Sequence, residues 1–416
     1  MAKSGFGVVN RQLVNDGRNK YKFATCAGCG LYRQVQSPRM KPYGNFKKQI
    51  LNIGQSPSAV DDIRGIPWQD RHGRMLQRMY KRLGIDLFED CLNINSVNCC
   101  TKDKNGNNRE PSSKEVVNCR KRVFETIEQY QPKLIVLLGS HAIESFLGHR
   151  WKKQLGGIAK WRGWAIPDRE HQAWVCPVFL PHFVEEQDNA VSKLIWKQDL
   201  TKALAKINEP FPEVVDEKEC IEFVSVSEAR KKLRDLGQTK GQVLVLDYET
   251  TGLKPHLPEQ KIVCAAIAPR PDYAFAFMTP DHEQLRRAFQ PVLTKPGINV
   301  VAANMKFEEN WTKAKLGFSI GKNWFFDTML GARILDNRAQ ISGLKFQTYI
   351  NFGVVDYDSA VSTYLEGTEK KNGNAINRIF EFVEKYGEKE LLTYCGLDVL
   401  YEMKLFLKMV SENNLI

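Results

Sequence analysis

Asp247, Glu249, Glu308 and Asp398, with Tyr394 four residues before the last of them, are the residues of this 416-residue chain whose types and spacing suit one reaction. Carboxylates supply the hard oxygen ligands that divalent cations require. Two such ions a few ångströms apart stabilise the attacking water and the departing 3′ oxygen of a phosphodiester. The chemistry expected of this half of the chain is therefore phosphodiester hydrolysis.

The elements that must position these groups can be read around them. Val243-Leu244-Val245-Leu246 is a short β-branched and apolar run, hence a buried strand that delivers Asp247 and Glu249 at its end. Side chains two apart on a strand share a face. Ile262 to Phe277 reads as the next strands. Asn299 to Ala303 is a further short strand ending at Asn304, with Glu308 opening a helix. From Glu388 to Met409 the apolar residues Leu391, Leu392, Cys395, Val399 and Leu400 follow helical spacing. Tyr394 and Asp398 are then one turn apart on one helix face, where the phenol can position water beside a metal-ligating carboxylate.

Residues 218–416 resemble the DEDD 3′–5′ exonucleases that carry a tyrosine in the third motif, and most of all the proofreading domain of DNA polymerase I. The likeness rests on Asp247-Tyr248-Glu249, on Asn304 to Glu308, on Phe326-Asp327-Thr328-Met329-Leu330 with Ala332 to Leu335, and on Tyr394 to Asp398. It implies an RNase H-like fold, two Mg²⁺ or Mn²⁺ ions, and release of nucleoside monophosphates from a 3′ end. Asp247, Glu249, Glu308 and Asp398 would be the ligands, with Tyr394 orienting water. The second motif departs from the family, which has Asp where this chain has Glu308. Glu309 would break the spacing. No polymerase domain accompanies the resemblance.

The first half holds other chemistry. Ten cysteines are present, and Cys26-Ala27-Gly28-Cys29 is a CxxC, followed later by Cys99, Cys100 and Cys119. Residues Met1 to Lys22 are polar and basic, without the apolar segment of a secretory signal. No run reaches the length of a membrane span. A reducing cytoplasm, the host's if the chain is viral, is expected, and there clustered thiols more often bind metal than form disulfides. Four thiolates could hold zinc or an iron–sulfur cluster, and spacing alone does not choose. Cys91, Cys176, Cys220, Cys264 and Cys395 read as buried thiols.

Further segments run in a recognisable order: Ile50 to Ser58, Gly65-Ile66-Pro67-Trp68, Gly73 to Leu76, Leu92 to Cys99, Asn108 to Pro111, Pro132 to Gly139, Trp161-Arg162-Gly163 and Leu180-Pro181-His182. Over residues 20–205 they resemble the iron–sulfur, family 4-like uracil-DNA glycosylases. That resemblance implies an α/β/α sandwich and a [4Fe–4S] cluster on Cys26, Cys29, Cys99 and Cys119, with Cys99 rather than Cys100 in register. It also implies a pocket for a flipped base. Asn95 would read the uracil edge, Trp68 would stack on the base, and His182 would stabilise the departing uracil. The family has Glu directly after its first-motif glycine. This chain has Gln55, whose amide cannot act as a general base, which leaves Asp61 or Asp62 for that role.

Charge divides along the same line. Residues 1–210 carry 34 Lys and Arg against 20 Asp and Glu, net +14, and the remainder carries 26 against 28, net −2. A basic surface neutralises phosphates. Lys47-Lys48, Arg71 to Arg82 and Lys152 to Arg162 are the stretches proposed for it. Strands and helices alternate in both halves, so the class is α/β. The expected organisation is a glycosylase-like domain over 1–207, a linker over 208–217 and an exonuclease domain over 218–416. The expected activity is 3′–5′ exonucleolysis of DNA at single-stranded or frayed 3′ ends. Proofreading beside a separate family A polymerase, as in split bacteriophage replication systems, is the expected setting. The alternatives are a repair enzyme that joins uracil excision to end trimming, and a non-catalytic accessory protein that binds DNA.

Overall fold

The computed structural model describes residues 26–365 and 376–413. The expectation for Met1 to Lys22 lies outside them.

Two sheets organise the chain. The first has strands β1 (Ile50–Gly54), β2 (Cys91–Asn95), β3 (Leu134–Leu138), β4 (Ile166–Asp168) and β5 (Ala173–Val178), in the order β2-β1-β3-β5-β4. Only β4 runs antiparallel to its neighbour. β1, β2 and β3 are buried along their whole length, as parallel strands covered on both faces must be. Apolar side chains from the two faces enter separate cores, one with Leu51, Ile53 and Phe146, the other with Ile50, Tyr80 and Trp196. This is the expected three-layer α/β/α sandwich.

The second sheet has β6 (Ile221–Phe223), β7 (Val243–Thr250), β8 (Ile262–Arg270), β9 (Tyr273–Met278), β10 (Asn299–Ala302) and β11 (Trp324–Asp327). Their order is β11-β10-β7-β8-β9-β6. β7, β8 and β9 form an antiparallel meander, and β10 and β11 add parallel strands beside β7. The helix Glu388–Asn413 lies across one face. Cys264, Ala266 and Ala268 of β8 are small there, which lets that helix come close enough to pack Leu391, Cys395 and Val399 on the sheet. The helices Val226–Leu236 and His282–Leu293 cover the other face through Leu233, Leu285 and Phe289.

The two halves interlock. The helix Leu344–Phe352 follows β11 in sequence, yet Phe346, Tyr349 and Ile350 belong to the core that contains Trp151, Trp161 and Ile166 of the first half. Tyr349 stacks on Trp151 with ring centroids 5.6 Å apart. Gly353 follows with φ +69°, and a Cβ there would lie 1.7 Å from the carbonyl oxygen of Pro167, so only glycine fits this approach. The segment 208–217 ends in a buried carboxylate, Glu217, which binds Arg169 at 2.7 Å and Lys404 at 3.0 Å.

Burial opposes ionisation of Glu217, but Arg169 and Lys404 outweigh it and bring its carboxyl from the usual 4.5 down to about 2. A depressed carboxylate pKa contributes stability above its unfolded value and loses it as pH falls through the folded one. Wild type is therefore expected to exceed Glu217→Gln in stability by roughly 2–3 kcal/mol at neutral pH. That margin should shrink between pH 4.5 and 2, and denaturant unfolding of both proteins across this range measures it. A margin that is constant with pH would show that the pair contributes packing alone.

Candidate active site

β7 carries Asp247 and Glu249 to the face under the helix Glu388–Asn413. Oxygens of both carboxylates and the Cys395 sulfur lie within 4.8 Å of one another. Cys395 Sγ is 3.7 Å from Asp247 Oδ2. Glu308 enters from the helix Lys306–Trp311, which follows β10 through a turn at Asn304, a residue with φ +63°. Asp327, at the end of β11, holds that turn by accepting from the backbone N–H groups of Asn304 (3.2 Å) and Met305 (2.9 Å). It also caps the helix Thr328–Leu335 through Met329 and Leu330. The extra methylene of Glu308 is thus delivered by a braced turn. Glu309 points elsewhere, to Ser319, Ile320 and Lys313.

Charge in this cluster is under strain. Burial first, and then the Asp398 charge, pushes the Asp247 carboxyl up to about 8. Burial and the Asp247 charge raise Glu249 and Glu308 well above the usual carboxylate range. Burial and Asp398 raise the Tyr394 phenol as well. Glu308 Oε2 is buried without a hydrogen-bond partner. Glu308 and Asp398 lie outside the 4.8 Å group that Asp247 and Glu249 form with Cys395, but the mutual repulsion of these carboxylates and the orphaned oxygen are what divalent cations would relieve, so the donor set fits Mg²⁺ or Mn²⁺.

Four further groups meet this cluster and were not foreseen. Lys345 Nζ binds Asp398 Oδ1, and the Tyr357 hydroxyl donates to the same oxygen at 2.6 Å. Glu402 is buried and accepts from Thr328 Oγ1 at 3.0 Å. Cys395, expected as a buried thiol, also lies against the Asp247 carboxylate. Glu402 was legible, because Tyr394, Asp398 and Glu402 repeat at four-residue spacing on one helix. Lys345 and Tyr357 lie in a stretch without a motif.

In the first half, Cys26, Cys29, Cys99 and Cys119 line one cavity. Cys100 turns away and donates to Asn108 Oδ1 at 3.6 Å. Cys99 accepts from the Arg39 N–H at 3.3 Å, and Cys119 accepts from the Asn98 N–H at 3.3 Å. Tetrahedral zinc with Zn–S bonds of about 2.3 Å would bring sulfurs to about 3.8 Å from one another. Among the described residues no three of these sulfurs lie within 4.8 Å of one another. The wider set, with N–H groups aimed at sulfur, fits a multi-iron cluster.

A pocket forms at the carboxyl ends of parallel strands, where α/β sheets bind ligands, and Asn95 is not among its lining residues. Gly54 ends β1 and pairs in register with Asn95, the end of β2. A Cβ on Gly54 would lie 2.4 Å from Asn95 Oδ1 and 2.7 Å from the Trp68 ring, so both side chains close on this glycine. Gln55, Asp61, Trp68 and His182 line this cavity of about 250 Å³. Asp61 uses its two oxygens as a helix cap, accepting from the backbone of Ser58 (3.0 Å) and Gln69 (2.6 Å). Asp62 likewise accepts from Ser37 and Gln36 and pairs with Lys102. Neither carboxylate is arranged as a free base. His182 Nδ1 lies 3.2 Å from His72 Nε2, and His72 contacts Asp70 and Glu185, a network that motif reading missed.

The basic stretches differ in their partners. Lys47 and Lys48 pair with Glu89 and Asp90, and Lys152, Lys153 and Lys160 bind within the protein. Arg71, Arg74, Arg78, Lys81 and Arg82 are exposed along one helix, Arg71–Arg82, beside the pocket, and of these Arg71 pairs with Glu185 at 3.2 Å.

Residues 41–204 match the family described as the uracil DNA glycosylase superfamily, and residues 222–414 match one described as 3′–5′ exonuclease. The type-4 uracil-DNA glycosylase of Saccharolobus solfataricus is 31% identical over 155 residues, which is 37% of this chain and 66% of that protein. That of Thermotoga maritima is 29% identical over 160 residues, 38% of this chain and 78% of that protein. The chain thus spans about two thirds of the length of the first of these relatives. Among solved structures, Trypanosoma brucei RNase D in complex with GMP superposes with a TM-score of 0.36 at 14% identity, covering 48% of this chain and 59% of that one.

Proposed function

We propose that this chain, in which a uracil DNA glycosylase superfamily domain is joined to a 3′–5′ exonuclease domain, removes nucleotides from DNA 3′ ends with its second domain and holds the DNA with its first. The observation that carries the nuclease reading is the crowded set Asp247, Glu249, Glu308 and Asp398, with one Glu308 oxygen left without a partner. Two divalent cations bound there would supply the Lewis acidity that the attacking water and the leaving 3′ oxygen require. Tyr394, one turn before Asp398, orients that water. The Arg71–Arg82 helix neutralises phosphates.

For the first domain we propose a [4Fe–4S] cluster on Cys26, Cys29, Cys99 and Cys119. It braces the fold, because Cys99 and Cys119 tie the segment after β2 to the helix Ser113–Tyr130. The cavity lined by Gln55, Trp68 and His182 is the place for a flipped base. Gln55 lacks the basicity to activate water, and Asp61 and Asp62 are engaged by backbone. The first domain is therefore read as a DNA-binding platform. The boundaries 1–207 and 218–416, the cytoplasmic setting, and service to a separate family A polymerase at frayed ends belong to the same reading. No helix among the described residues is long and apolar enough to cross a membrane.

One 5′-labelled oligonucleotide with a single internal uracil tests both domains. With Mg²⁺ the expected result is a ladder shortening from the 3′ end. In EDTA no alkali-labile break at the uracil is expected. A break there would establish excision and overturn the platform reading. No ladder under any divalent cation would overturn the nuclease reading. Recovery of a polymerase by the tagged protein, with improved copying fidelity, would place it in proofreading. Failure of both would favour a free-standing repair nuclease.

A further inference from the structure

Lys345 is the cation that contacts Asp398 directly, and it is no ordinary surface lysine. Its side chain is 18% exposed. Its ammonium lies 4.0 Å from the centroid of the Tyr357 ring and 4.3 Å from that of Tyr394. It therefore stands between the phenol that orients water and a carboxylate expected to ligate metal. A positive charge in this place attracts Asp398 and repels any divalent cation approaching the same carboxylate.

The helix that delivers Lys345 is seated in the other domain. Phe346, Tyr349 and Ile350 on the same helix are in the first domain's core. Arg338, before the helix, donates to the carbonyl oxygens of Ala159 and Arg162, each at 2.9 Å, and lies over the Trp164 ring. At the last residue of the helix, Arg169 donates to the Phe352 carbonyl oxygen at 2.7 Å, and beyond it Lys153 pairs with Asp358 at 2.9 Å. The segment is gripped on both sides of Lys345 by residues of the glycosylase-like domain.

We propose that Lys345 is a positioning residue of the nuclease site, a resident counter-ion that holds Asp398 and lowers the affinity of the carboxylate cluster for divalent cations, and that the glycosylase-like domain sets where it stands. The inference rests on the nuclease reading above. It gives the fusion of the two domains a physical meaning, since the second domain's site is completed by a helix that packs in the first.

The test uses the full chain without DNA. Lys345→Met keeps the apolar stem and removes the charge. Titration of Mn²⁺ by calorimetry is expected to show binding about tenfold tighter or more, the worth of one charge-assisted hydrogen bond. In EDTA the same variant should melt below wild type, because the crowded carboxylates lose their counter-ion. Lys345→Arg should keep wild-type Mn²⁺ affinity. A residue that served packing alone would weaken Mn²⁺ binding when replaced, so weaker or unchanged binding by Lys345→Met overturns the counter-ion role. Arg338→Ala, remote from the carboxylates, should tighten Mn²⁺ binding in the same direction by a smaller factor. Unchanged binding by that variant would overturn the role of the first domain. Wild type that binds Mn²⁺ in this way yet produces no ladder would count against the nuclease reading and leave the counter-ion intact.

Discussion

Asp247→Ala is expected to remove Mg²⁺-dependent shortening of a 3′ end almost completely. Asp247 is the carboxylate nearest the centre of the cluster: its charge raises Glu249, Glu308 and Glu402, and its oxygens adjoin those of Glu249 and the Cys395 sulfur. Losing one donor that stabilises developing charge costs enzymes a factor of about 10²–10³, and loss of a shared metal ligand should cost roughly a thousandfold or more. The fold should survive, because removing a buried carboxylate relieves repulsion, so the variant is expected to melt at or above the wild-type temperature in EDTA. Single-turnover release of labelled nucleotide, with the melting curve as control, makes the measurement. A variant that retains more than about a tenth of the wild-type rate would exclude Asp247 from the machinery, since that is far less than the cost of one such donor. Lower activity with collapse of the melting curve would mean that Asp247 serves folding.

Cys99→Ser is expected to lose its iron and most of the first domain's stability, whereas Cys100→Ser keeps both. The two thiols are adjacent in sequence and both are buried. Only Cys99 faces the cavity shared with Cys26, Cys29 and Cys119, while Cys100 is turned to Asn108. Metal–ligand binding is folding energy where a site joins distant segments, and these ligands join residues about 90 positions apart in sequence. Anaerobically purified wild type should be brown, with the broad visible absorbance of an iron–sulfur centre. Cys100→Ser should be brown as well, and Cys99→Ser pale and prone to unfold. The reverse pattern would move the ligand by one position. A colourless wild type holding one zinc per chain would replace the cluster by a mononuclear site.

Much of the site was legible because its signals are local. The run Val243 to Leu246 is a buried strand on its face, and period two then puts Asp247 and Glu249 together. Helical spacing put Tyr394 and Asp398 on one face, and Glu402 extends the same row. Gln55 stands in the sequence itself where the resemblance expects a carboxylate. Asp61 looked available in sequence, but its helix needed a cap, and a capping carboxylate is indistinguishable from a catalytic one until its partners are seen. The lysines at 47, 48 and 152 to 160 read as a phosphate-binding surface. The pairing of Lys47, Lys48 and Lys153 with Glu89, Asp90 and Asp358 was invisible because each of those partners is remote in sequence.

By itself the sequence determined the two α/β halves, the carboxylate tetrad with its tyrosine, and the thiols that could share a metal, because each is encoded by residue type at short spacing. Only the tertiary structure decided that Glu308 leaves an oxygen unsatisfied and that Lys345 stands on Asp398. The helix Leu344–Phe352 shows why. Its apolar residues specify that it must be buried, but not in which core. Pairing across more than 150 residues, from Phe346 to Trp161, depends on where two sheets come to rest, and no local pattern carries that information.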